Sequence, residues 1–90
     1  MSANTRRKDI CSAVAQILRE ERLKRFLSLS TVAERAGLSH QMVSFVEREV
    51  RNPTLETLVR ITDALEIDLA EVVKRAYRIQ GDSRRLPKKS

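Results

Sequence analysis

Cysteine, histidine, glycine, proline and aromatic residues are all scarce in this 90-residue chain, and each shortage removes a class of function. Cys11 is the only cysteine, so an internal disulfide is impossible. His40 is the only histidine, and a zinc site would have to recruit Asp or Glu, which structural zinc sites seldom do. No metal or cofactor is expected. Gly37 and Gly81 are the only glycines, which leaves no glycine-rich loop to cradle a phosphate. Ser39 and His40 are neighbours, and neighbours on a helix do not face one another, so they cannot serve as nucleophile and base. The chain is not expected to be an enzyme. No apolar run approaches the ~18–20 residues of a membrane span. No apolar stretch follows Arg6-Arg7-Lys8 to complete a secretory signal. The expectation is a cytoplasmic protein without a membrane partner.

With aromatics at 3% (Phe26, Phe45, Tyr77), the core must be built from Leu, Ile, Val and Ala. Charged residues at 33% and hydrophobic residues at 41% fit a folded chain, and the length fits one small domain. The net charge of +6 is concentrated at the two ends. Residues 1–8 carry Arg6, Arg7 and Lys8, while residues 81–90 carry Arg84, Arg85, Lys88 and Lys89 against Asp82. Acidic and basic residues balance between them. The expected organisation is a flexible basic arm at 1–8, a domain at 9–80 and a flexible basic tail at 81–90. Basic ends on a neutral domain suit a polyanion, nucleic acid before a membrane surface.

From Asp9 onward the apolar residues recur with the helical period. Ile10, Val14, Ile17 and Leu18 mark one side of a helix running to about Lys24. Cys11 lies beside that stripe and is expected to be a small core residue. Ser28 can cap a short helix with Leu29, Val32, Ala33 and Ala36 inward, and Gly37 stops it. Ser39 caps a third helix, His40 to about Glu49. Pro53 or Thr54 opens a fourth, bearing Leu55, Leu58, Ile61 and Leu65. Asp68 and Glu71 form a capping box for a fifth, with Leu69, Val72, Val73, Ala76 and Tyr77 inward. No segment alternates with period two. The reading is all-α, with five helices.

The third helix has two contrasting sides. At ~100° per residue, Val43, Val46 and Val50 cluster on one side, expected to face the core. Gln41, Ser44, Phe45 and Arg48 point the other way, with His40 at the margin. Gln can bond adenine at two points, Arg can bond guanine or a phosphate, and an aromatic can touch a thymine methyl. Polar side chains that simply face solvent, with Phe45 packed on another helix, would also account for that side. Glu47 falls close to the apolar side and so calls for a cation, preferably an arginine fork. The first helix offers Arg19 and Arg22.

Four segments, Leu18-Arg-Glu-Glu-Arg22, Ser28-Leu-Ser-Thr-Val-Ala-Glu-Arg-Ala-Gly-Leu-Ser39, Phe45-Val-Glu-Arg48 and Asn52-Pro-Thr-Leu-Glu-Thr-Leu58, resemble the lambda-repressor-like (Xre) helix-turn-helix family in order and spacing. The resemblance implies a compact five-helix DNA-binding domain, with the second helix across the DNA backbone and the third in the major groove. It carries His40, Gln41, Ser44 and Phe45 onto base-reading positions. Ser28, Ser30, Ser39, Arg48 and Arg51 are the expected phosphate contacts, and Arg22 with Glu47 the structural ion pair. Three positions depart from the family pattern. Leu29 stands where Gln often reaches a phosphate, which moves that contact to Ser28 or Ser30. Phe26 and Glu49 stand where glycine is usual. Either Glu49 adopts the left-handed conformation, or the third helix runs further.

The function implied is a sequence-specific double-stranded DNA-binding transcriptional regulator, a homodimer on an inverted repeat. The alternative is an antitoxin-type interaction module whose main partner is a protein toxin, since one fold serves both. A co-purifying partner or a toxic neighbouring reading frame separates the two. RNA suits the chain less, because an A-form major groove does not admit a helix and stacking aromatics are few.

Overall fold

Residues 3–8 contain neither glycine nor proline, and Ala, Arg and Lys favour helix. Nothing therefore stops the first amphipathic helix from growing toward the N-terminus. In the computed structural model, which describes residues 3–81, that helix (α1) runs from Ala3 to Lys24. The boundary expected at Asp9 is displaced, and Arg6, Arg7 and Lys8 lie on the opening turns of α1 instead of on a separate arm. The basic tail beyond Gly81 lies outside the described residues. Four further helices follow: α2 (Leu29–Ala36), α3 (His40–Glu47), α4 (Leu55–Leu65) and α5 (Leu69–Ile79). No strand occurs among the described residues.

Hydroxyl caps start three of the helices. The side-chain oxygens of Ser28, Ser39 and Thr54 accept from the backbone N–H groups of Thr31, Met42 and Thr57 at 3.0, 3.0 and 3.1 Å. Asp68 makes no such bond, so the expected capping box does not form. The Glu71 carboxylate lies instead 3.4 Å from Arg75, one turn further along α5.

One motif ends the first four helices. Phe26, Gly37, Glu49 and Glu66 all have positive φ, at 56, 70, 62 and 59°. Around each, the chain closes with paired backbone bonds of the Schellman type, such as Leu27 N–H to Arg22 O at 3.1 Å and Phe26 N–H to Leu23 O at 3.0 Å. Only one of the four is glycine. The others each carry the left-handed strain of about 1–2 kcal/mol that a Cβ imposes. After three of these turns the next residue (Leu27, Leu38 or Ile67) packs against the core, the apolar contact that usually accompanies the motif. Val50 is the exception.

The core is aliphatic. Ile17, Leu18, Val32, Val43, Val46, Leu65 and Val72 are fully buried. Ala13, Ala33, Ala36, Ala64 and Ala76 are buried between them, small enough to bring helix backbones close. α1 packs chiefly along α5, and α2 on α3 and α4. Three apolar expectations are corrected. Val50 is 53% exposed, because Glu49 ends α3 and takes Val50 off its apolar side. Leu55 is exposed at the first position of α4. Cys11 is exposed as well: the buried stretch of α1 begins only at Ala13.

Candidate nucleic-acid interface

The turn between α2 and α3 is built from both of its ends. Gly37 supplies the left-handed residue, and Ser39 caps α3 two residues later. A Cβ on Gly37 would stand 3.0 Å from Arg60 Nη1, the movable end of a partly exposed side chain, so the preference for glycine here comes chiefly from its φ of 70°. Arg60 reaches over from α4 and donates to the Ala36 carbonyl at 3.2 Å, while Glu56 holds its fork at 3.0 and 3.1 Å. Sequence reasoning missed this clamp. Its only trace was the Glu56–Arg60 spacing of four, which reads as an ordinary surface pair.

With Val43 and Val46 buried, α3 turns its other side outward. His40, Gln41 and Arg48 are exposed, and Ser44 and Phe45 are half-buried beside them. Arg48 Nη1 lies 3.4 Å from Ser44 Oγ. The Arg51 guanidinium lies over the Phe45 ring, 5.6 Å from its centroid, within cation–π range. At the start of α2, the Ser28 hydroxyl donates to Thr31 Oγ1 at 2.9 Å while capping the helix, and Ser30 is exposed.

Behind that surface, Arg22 and Glu47 form a two-pronged pair. Arg22 Nε and Nη2 donate to the two Glu47 carboxylate oxygens at 2.7 and 2.9 Å. Arg22 Nη1 donates to the Leu27 carbonyl at 2.9 Å, so one guanidinium ties α1 to α3 and to the turn leading into α2. The two side chains are 11% and 7% exposed. Glu47 holds the Arg22 guanidinium above its ordinary pKa, chiefly through these hydrogen bonds. Arg19, the other candidate partner, stays at the surface.

A second buried carboxylate was missed. Glu21 is 2% exposed. Its carboxylate takes Arg25 on one oxygen, and Arg75 of α5 at 2.7 Å and Lys24 at 3.3 Å on the other. These cations hold its pKa down at about 2, against an ordinary value of 4.5, with the Arg25 hydrogen bond the largest cause. The signal was present in the periodicity, because position 21 continues the stripe of Val14, Ile17 and Leu18.

Among the described residues, no group of three or more His, Cys, Asp or Glu side chains could hold a metal ion. No helix there is long and apolar enough to cross a membrane. What remains is a short helix with a polar outer side, set on a capped turn and fixed from behind. Residues 18–72, more than half of the chain, match the helix-turn-helix family, and the chain belongs to it. This is the lambda-repressor-like, or Xre, group of helix-turn-helix domains, a DNA-binding regulatory family. No curated protein matches the chain.

Proposed function

We propose that this protein is a sequence-specific transcriptional regulator that reads double-stranded DNA with α3 in the major groove. The observation that carries this reading is the outward side of α3: His40, Gln41, Ser44 and Arg48 stand together opposite Val43 and Val46. Gln41 offers both a donor and an acceptor to an adenine edge, and His40 and Ser44 can bond neighbouring bases. Phe45 keeps its ring edge for a thymine methyl. Ser28, Ser30 and Ser39 at the helix starts, with Arg48 and Arg51, contact the phosphates, which sets the position of the domain without reading sequence.

A homodimer would place two α3 helices in successive major grooves, with half-site centres about 34–36 Å apart on an inverted repeat. Arg6, Arg7, Lys8 and the tail at 81–90 add charge that strengthens binding to any duplex. Selecting bound sequences from a random duplex pool tests the reading. An enriched palindrome supports it, and no enrichment even at low salt overturns it.

A further inference from the structure

The end of α3 carries an arrangement that base reading alone does not require. Glu49, in the left-handed conformation, reverses the chain directly after the helix. The reversal is closed by the Val50 N–H to Phe45 carbonyl bond at 2.9 Å and the Glu49 N–H to Val46 carbonyl bond at 3.2 Å. Phe45 is thus hydrogen-bonded through its own carbonyl to the strained turn. Two residues beyond that turn's centre, Arg51 returns over the Phe45 ring. Val50, between them, does not pack into the core as its counterparts after the other turns do, so burial of Val50 does not explain the turn's path. The ring face and the guanidinium meet at cation–π distance.

We infer that Phe45 serves DNA binding chiefly as a positioning residue, its ring holding the Arg51 guanidinium in place for a phosphate beside α3. The inference rests on the DNA-binding reading above and gives the half-buried aromatic of α3 a second role. A free arginine side chain must lose rotamer freedom when it binds, and one already seated on a ring loses less. The face of the guanidinium is used by the ring while its N–H groups, which lie in its plane, stay available to phosphate oxygens. Leucine at position 45 keeps an apolar edge for a thymine methyl but has no ring face. It therefore separates the two roles, which alanine would remove together.

The test is a double-mutant cycle in the full-length protein, with Phe45→Leu, Arg51→Ala and the double substitution. Affinity for the selected duplex is titrated at several salt concentrations, with Phe45→Tyr as the conservative control. Phe45→Leu should weaken binding about two- to fivefold, the range of an exposed cation–π contact. In the Arg51→Ala background the same substitution should change nothing further. Arg51→Ala should flatten the slope of log K against log[salt] by about 0.9, one phosphate contact. Phe45→Tyr should bind as wild type. Equal losses from Phe45→Leu with and without Arg51 would overturn the inference while leaving the DNA-binding reading intact. Wild-type protein that binds no duplex would overturn that reading, and the inference with it.

Discussion

Glu21 and Arg22 are adjacent in α1, opposite in charge and both buried, yet they are held in different ways. Arg22 has one acidic partner, and the arrangement is closed: both Glu47 oxygens are taken, and the remaining guanidinium nitrogen goes to the Leu27 carbonyl. Glu21 has three cationic partners, and all of them extend into solvent. The closed pair joins α1 to α3, the helix proposed to read DNA, and the open cluster joins α1 to α5. A closed pair has no substitute when one member is lost, because the survivor keeps its burial and loses its only counter-charge. An open cluster loses one of several cations and keeps the rest.

The largest effect should therefore come from Arg22→Met. It leaves Glu47 buried without a partner and should cost about 3–5 kcal/mol in urea melts. Adding Glu47→Leu should recover much of that loss. Fully additive effects of the two substitutions would mean that the residues do not support one another. Glu21→Gln should cost about 3 kcal/mol near neutral pH, from the lowering of its pKa to about 2. Folding depresses this pKa, so the unfolded chain takes up the proton first as pH falls. The stabilisation is full above about 4.5, declines through the interval and is gone below about 2. Melts of wild type and Glu21→Gln across that range should converge toward the acid end, and a constant gap between them would reject the ionic account.

Arg75→Met sharpens the contrast, because Arg25 and Lys24 remain on Glu21 after Arg75 is lost. Its cost should be about 1 kcal/mol, well below that of Arg22→Met, since Arg75 is partly exposed and its loss is cushioned. A loss as large as that from Arg22→Met would show that the cluster is not redundant. The smallest expected change is a gain. Glu49→Gly relieves the positive φ and should stabilise the fold by about 0.5–1 kcal/mol, the relief being offset by the extra freedom of glycine in the unfolded chain. A loss in thermal melts would mean that the Glu49 side chain makes up for its strain.

The helices were legible because their apolar stripes and hydroxyl caps are local features, set within a few residues by backbone geometry. Ser28, Ser39, Gly37 and the five apolar periods all act at that range. The start of α1 is not legible from the basic residues before Asp9, because Arg and Lys propagate a helix well and charge alone does not mark missing structure. Val50 falls on the core side only of a helix that continues past Glu49, and the left-handed φ of Glu49 depends on how the following loop closes. Glu47 stands out as an acid close to an apolar side, whereas Glu21 is masked by a run of charges, although its position on the stripe argues equally for burial. Its partner Arg75 is 54 residues away, on a helix whose placement against α1 no local pattern specifies. The Arg60 clamp and the Arg51–Phe45 contact were out of reach for a related reason: each joins an element to a turn, and the path of a turn is a tertiary result.

The claim that α3 reads sequence, while the buried Arg22–Glu47 pair only holds it in place, is tested most directly by repeating the duplex selection with Gln41→Ala beside wild type. Gln41 is exposed and touches neither member of that pair, so the variant should melt like wild type. The account predicts a palindromic motif from the wild-type protein. It predicts the same motif from Gln41→Ala with one base pair per half-site no longer specified, and binding to the best site weaker by about 1–3 kcal/mol. An identical, fully specified motif from both proteins would contradict it.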